Sequence, residues 1–348
     1  MDRALGWFFR VWVVLAAAIS LWALPFMPLR ASEKNTQVIA DAVYLKPQRL
    51  VEVEPGRRLN VYCLGHGSPA VIFDSGLGDS TRVWALVQPS VAAMTRACSY
   101  DRAGLGFSDP SPKPNTSAND VADLHQLLDA LRIKPPYVLV GHSMGGLAVK
   151  LYADTHLADV AGLVLVDPTH EDQLTRNEQV DPGRTAGRPG YLAKLEACLS
   201  AKPSDFVEGS DLYKTCILGD PDPRFSEALN AVELEHDKMR GTMSAWVSEN
   251  ENVYSVSSDQ VRAARRSLGD IPIIVLRREP SPRQGNETQE LHDALDQVKT
   301  DLSAETAGLS THGTVRIVQN TGHYVQLDQP DEVVGAILDV VRSASSKR

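Results

Sequence analysis

Gly141-His142-Ser143-Met144-Gly145 stands directly after the apolar run Tyr137 to Val140 and before a helical pattern that opens with Gly146 and Leu147. This is G-x-S-x-G between a strand and a helix, the setting in which the pattern carries chemistry. A serine on so sharp a turn is pushed above the sheet. Glycine on either side lets strand and helix approach, and the N-terminus of the next helix lies beneath the serine, where backbone N–H groups can receive an oxyanion. Ser143 is therefore a candidate nucleophile for acyl transfer, and such a nucleophile needs a base. Of the nine histidines, His323 follows a β-branched run, sits next to Gly322 and precedes a helical pattern at Pro330. That is a loop at the carboxyl edge of a sheet, where open α/β folds place their sites. His142 is expected to point elsewhere on the turn, and the other histidines, His170 and His236 among them, lie in loops or helical stretches with no motif around them.

The elements that must position these residues can be read from periodicity. Leu50 to Val53, Leu59 to Leu64, Ala70 to Asp74, Ala97 to Tyr100, Tyr137 to Val140, Leu163 to Val166, Ile271 to Leu276 and Thr314 to Val318 read as strands, enough for an eight-stranded sheet. Helices are expected around Val83 to Met94, from Ala118 to Leu131 with Ser117 as N-cap, from Met144 to Asp154, around Gln289 to Leu302, and from Pro330 to about Arg342. From the third strand onward, strands and helices alternate as in a parallel sheet covered on both faces. The rhythm breaks between Pro168 and Leu268, where Pro, Gly and charged residues punctuate helical patterns such as Ser226 to Met239 and Asp259 to Leu268. This stretch is expected to form an inserted helical cap.

Several segments resemble the α/β-hydrolase superfamily at once, over nearly the whole chain from about Leu50 to Ala344. They are the serine turn, Phe73-Asp74-Ser75-Gly76-Leu77-Gly78 after the third strand, Tyr100-Asp101-Arg102-Ala103-Gly104-Leu105-Gly106-Phe107-Ser108 after the fourth, and Asn320-Thr321-Gly322-His323-Tyr324 after the last. The resemblance implies a mostly parallel eight-stranded α/β-hydrolase sheet, with core residues 47–167 and 269–348 flanking a cap at 168–268. It implies the backbone amides of Leu77 and Met144 as oxyanion donors, although many members carry His-Gly where this chain has Ser75-Gly76. For the acid, family members use the end of either the seventh or the sixth strand. The first option leads here to Arg277-Arg278-Glu279-Pro280 and the second to Asp167, so Asp167 is expected to complete the triad, with Glu279 as the alternative. The implied activity is cleavage of a small carboxylic ester or related acyl substrate, without metal or organic cofactor. A peptidase or amidase of the same fold is the alternative, and a catalytically silent binding module is the reading from another class. Dehalogenases and epoxide hydrolases are disfavoured, because they use a carboxylate nucleophile where Ser143 stands.

Composition and charge narrow the remainder. The chain has 348 residues, 43% of them hydrophobic, and a formal charge of −9, which suits a globular protein and leaves no basic face for nucleic acid. Residues 1–30 differ in kind: Ala4 to Leu24 is almost wholly apolar, is flanked by Arg3, contains Arg10 and stops at Pro25. It reads as a cleaved export signal or a membrane anchor, followed by a polar linker at 31–46. Export would favour two disulfides among the four cysteines. Cys198 and Cys216 lie in one segment and would close a short loop, leaving Cys63 with Cys98. The resemblance agrees with the second pair, since it places the second strand antiparallel to the fourth.

Overall fold

A computed structural model describes residues 38–217, 221–283, 285 and 287–346. The expected signal or anchor lies outside the described residues, as do residues 31–37 of the expected linker. Residues 38–46 depart from the linker reading and pack onto the domain. Asp41 caps a 3-10 helix at Ala42–Leu45, Tyr44 is buried, and Ile39 pairs with Phe225 beside Leu229 and Leu327.

The sheet is built from β1 (Leu50–Glu54), β2 (Arg57–Leu64), β3 (Ala70–Asp74), β4 (Ala97–Tyr100), β5 (Tyr137–His142), β6 (Val160–Val166), β7 (Ile273–Arg278) and β8 (Gly313–Val318). Their spatial order is β1-β2-β4-β3-β5-β6-β7-β8, antiparallel at the β1–β2 and β2–β4 pairings and parallel from β4 onward. Strands β3, β4 and β5 are buried at every residue, as central strands with helices on both faces must be. Alternate residues feed opposite cores. Ile72, Leu139 and Leu165 pack with helices α2 (Ser117–Leu131) and α3 (Gly145–Thr155), which follow the short α1 (Gln88–Ala92) in the chain. Phe73, Val140 and Val166 meet the closing helix Pro330–Ser346 through Val333, Ile337 and Val340.

Between β6 and β7 stand α4 (Gln173–Val180), α5 (Arg188–Ser200), α6 (Asp211–Cys216), α7 (Glu227–Asp237), α8 (Arg240–Asn252) and α9 (Val256–Ala264), in the place of the expected cap. Leu195, Phe206, Met243 and Trp246 give this region a core of its own. After β7 come α10 (Gln289–Ala307), α11 (Val325–Asp328) and α12 (Pro330–Ser346).

Three details differ from the sequence reading. The helix expected at Val83 to Met94 is divided into a 3-10 turn at Thr81–Trp84 and α1, because Pro89 has no N–H and fits only the first turn of a helix. Thr116, one residue earlier than expected, caps α2 by accepting the Asn119 N–H. Helices α5 and α8 had no counterpart in the reading.

Both disulfides are formed. Cys63 and Cys98 oppose each other directly in the β2–β4 register, and Cys198 in α5 is joined to Cys216 in α6 across a separation of 18 residues. Closing a loop of that length restricts the unfolded chain, so Cys198→Ser is expected to lower the unfolding free energy by about 3 kcal/mol. Urea titration under non-reducing conditions checks this, and an unchanged midpoint would show that the helical core holds without its staple.

Candidate active site

The strand order sets the place of the site. β4 lies on one side of β3 and β5 on the other, so the loops after β3 and β5 diverge and leave a crevice at the carboxyl ends of the strands. Ser143 stands on that edge, between β5 and α3, with φ at 51°, a left-handed conformation costly for any residue but glycine. Its carbonyl accepts the N–H groups of Gly146 and Thr169 and its own N–H donates to Val166, which hold the conformation. The glycine spacing is steric: a Cβ on Gly145 would lie 2.6 Å from the carbonyl oxygens of Asp74 and Ser75, and one on Gly141 would lie 2.7 Å from the Gly145 carbonyl.

Three sequence-predicted residues, far apart in the chain, meet here. The Ser143 hydroxyl lies 2.9 Å from His323 Nε2, and His323 Nδ1 lies 2.6 Å from Asp167 Oδ2. Asp167 leaves β6 with φ at 39° and donates its N–H to the Leu276 carbonyl, which turns the carboxylate toward the loop between β8 and α11. Burial pushes this carboxyl up, but the His323 hydrogen bond and the charges of His323, Arg278 and Lys299 outweigh it and hold it below the ordinary value. A carboxylate only accepts, so the proton of a neutral His323 sits on Nδ1 and Nε2 is left to accept from Ser143. Glu279, the alternative acid, does not meet His323. Its Oε1 accepts the Asn320 N–H at 2.6 Å, bracing the loop that carries the histidine.

Leu77 and Met144 lie on either side of the crevice, and neither amide donates to a backbone carbonyl among the described residues. The Leu77 loop is pinned from below by the buried Arg102, which donates to the carbonyls of Ser75 and Gly76 and to Asp74. Arg102 also donates to Glu249 of α8, whose other oxygen accepts the Gly78 N–H at 2.7 Å. The sequence reading singled out the segment of Arg102 but not this role, and Glu249 gave no signal at all. His142 likewise does more than point away. Buried beside His323 and Tyr324, it donates from Nε2 to the His323 carbonyl at 3.0 Å, while the Tyr324 hydroxyl donates to Asp79.

A cavity of about 280 Å³ opens onto Ser143, Asp167 and His323. The aromatic residues Tyr191, Phe206, Tyr213, Phe225 and Trp246 do not line it; Phe206 and Trp246 belong to the separate core of the helices between β6 and β7. His170 does line it, next to Glu171 and Asp172, whose carboxylates are paired with Lys150, Arg262 and Arg265. Burial, followed by the charge of Lys150, pushes the His170 imidazole down to about 4, and its Nδ1 accepts the Asp172 N–H. With its folded value depressed, His170 takes up a proton on unfolding at any pH between about 4 and its ordinary 6.5. Stability is therefore lost as pH falls through that window, by up to about 3 kcal/mol from this residue. His170→Gln should flatten the fall in urea midpoint between pH 7 and 4.5, and an unchanged slope would assign the acid sensitivity elsewhere.

Known proteins share this architecture. The chain is 25% identical over 293 residues to the protein named "Probable transporter efuK" of Hormonema carpetanum, a match covering 81% of this chain and 40% of that protein's length. Among solved structures it is similar to Est816, described as an N-acyl homoserine lactone degrading enzyme, at 18% identity and a TM-score of 0.55 over 84% of this chain and 99% of that one. It is also similar to a loop variant of the haloalkane dehalogenase DbeA from Bradyrhizobium elkanii, at 17% identity and a TM-score of 0.62 over 86% and 98%. Likeness at these identities is one of fold, which hosts many chemistries. The sequence profile described as "Alpha/beta hydrolase family" matches residues 71–336, from β3 to α12, and so takes in the crevice, the serine turn and the histidine loop. With profile and topology in agreement over that span, the chain belongs to the alpha/beta hydrolase family.

Proposed function

We propose that this chain is a serine hydrolase that cleaves a carboxylic ester through an acyl-enzyme, with Ser143 as nucleophile, His323 as general base and acid, and Asp167 orienting the histidine. The observation that carries the reading is the unbroken relay from Ser143 Oγ through the His323 ring to Asp167 Oδ2, at 2.9 and 2.6 Å. His323 Nε2 takes the hydroxyl proton as Oγ attacks the acyl carbon, and the imidazolium that forms is stabilised by the Asp167 carboxylate. The tetrahedral oxygen turns toward the Leu77 and Met144 amides, which donate to no backbone carbonyl among the described residues; Arg102 and Glu249 brace the loop that carries Leu77. Collapse expels the alcohol with the proton from Nε2, and water activated by the same nitrogen releases the acid.

A serine in the nucleophile's place, rather than a carboxylate, separates this reading from the dehalogenase chemistry of the fold neighbour. Outside the cytoplasm, the compartment the reading favours, the two disulfides would persist. Hydrolysis of p-nitrophenyl acetate and butyrate by the full chain, together with fluorophosphonate labelling of Ser143, tests the proposal. Turnover with labelling at Ser143 is expected; labelling without turnover would remove the ester assignment, and absence of both would remove the enzyme.

A further inference from the structure

One wall of the cavity at Ser143 differs in charge from the chain that builds it. The protein as a whole has a formal charge of −9, yet Arg277 and Arg278 at the end of β7 and Lys299 on α10 stand together on this wall. Two of the three cations are already compensated. Arg277 donates to Asp296, and Arg278 Nε lies 3.1 Å from Asp167 Oδ2, the oxygen that also meets His323. The Lys299 ammonium has no hydrogen bond or ion pair with any described residue; only the backbone carbonyl of Lys299 is engaged by a side chain, accepting the Ser303 hydroxyl. Burial, then the neighbouring Arg278, weakens its charged form, whereas Asp167 and Asp296 favour it. Three cations thus face two carboxylates that are both engaged, and His170, which shares the cavity wall with Tyr254 and His323, is neutral near pH 7. The hydroxyl-bearing residues Thr169, Ser303 and Thr306 line the same space.

An uncompensated, partly desolvated ammonium beside a nucleophile is a poor neighbour for an apolar acyl chain and a good one for an anion, since a charge-assisted hydrogen bond gains strength where water is excluded. We propose that this cavity is an anion subsite, and that the substrate is an ester carrying a carboxylate or phosphate group that docks on Lys299 with Arg278 beside it. The assignment rests on the ester-hydrolase reading above. It concerns the part of the substrate on the Asp167 side of the serine; the Leu77 side opens on a different cavity, lined by Asp79, Glu233 and Asp237.

The test compares kcat/KM for esters that differ only in an end group: mono-p-nitrophenyl glutarate against p-nitrophenyl valerate, with the charge on the acyl chain, and 3-carboxypropyl butyrate against butyl butyrate, with the charge on the alcohol. In at least one pair the wild type should favour the anionic ester about tenfold or more. That ratio should fall about tenfold in Lys299→Gln and further in Lys299→Glu, as expected for loss of a charged hydrogen bond. A ratio at or below one in both pairs, or one that both variants preserve, overturns the subsite. The rate of fluorophosphonate labelling of Ser143 gives a readout that needs no substrate. Glutarate or inorganic phosphate should slow it in the wild type and not in Lys299→Gln, and whichever of the two protects identifies the anion. Labelling that neither anion slows overturns the subsite even if esters are hydrolysed. Labelling slowed by an anion without ester turnover removes the ester assignment and keeps the anion site. A Ser143 that is never labelled removes both.

Discussion

Ser143→Ala will lower ester turnover by on the order of 10⁵-fold or more, and it will abolish fluorophosphonate labelling. The size of the effect follows from the relay. Without the hydroxyl, His323 has no proton to accept and no acyl-enzyme can form, so only orientation of the substrate and the Leu77 and Met144 amides would remain to act on water. Folding should be nearly untouched, because what Ser143 gives the turn is backbone: its carbonyl takes Gly146 and Thr169 N–H groups and its N–H meets Val166. Alanine keeps those bonds and tolerates the positive φ about as poorly as serine does. A urea midpoint within error of wild type, with substrate binding retained, would therefore mark the loss as chemical. Residual turnover within tenfold of wild type would place the nucleophile elsewhere.

The parts of this molecule that were legible in the sequence are those whose cause is local. A central parallel strand must be apolar on both faces, so Ala70–Asp74 and Tyr137–His142 announce themselves. Gly145 is demanded by the carbonyls of Asp74 and Ser75, and the same crowding marks the serine turn. Contacts between distant residues leave no such trace. Arg102 and Glu249 are 147 positions apart, and only the return of α8 over the β3 loop gives either a purpose. His142 donates to a carbonyl 181 residues away, so nothing near it in the chain could distinguish a ring that holds the histidine loop from one turned to solvent. Helix α5 buries only Leu195 and Cys198, and α8 buries the polar Thr242, Glu249 and Asn250 together with Met243, Ala245, Trp246 and Val247, so neither shows a clean apolar stripe in the sequence. The preference for Asp167 over Glu279 could not rest on geometry, for a related reason. Both follow the ends of neighbouring parallel strands, β6 and β7, and residue order does not say which carboxylate faces the histidine. What separates them is the left-handed turn at Asp167 and the capture of Glu279 by the Asn320 amide.

That difference yields the second large effect. Asp167→Asn should lower kcat on p-nitrophenyl butyrate by about 10⁴-fold with little change in KM. The amide is isosteric, but it is neutral and cannot stabilise the imidazolium. If its NH₂ faces Nδ1, it also forces the ring into the tautomer whose Nε2 carries the proton and cannot accept from Ser143. The substitution also strips Arg278 of the carboxylate 3.1 Å from its Nε, so the urea midpoint must be measured alongside to separate lost chemistry from lost packing. Glu279→Gln is the control, because glutamine keeps the oxygen that accepts the Asn320 N–H and should stay within about tenfold of wild type, as one hydrogen bond retained in neutral form requires. The opposite pattern, with Glu279→Gln inactive and Asp167→Asn active, would transfer the acid to the end of β7 and require the His323 loop to rearrange in the working enzyme. Loss in both would mean that catalysis depends on the stiffness of the loop Glu279 braces as much as on the charge behind His323. Glu279→Ala, which removes the brace without touching Asp167, then becomes the measure of that dependence.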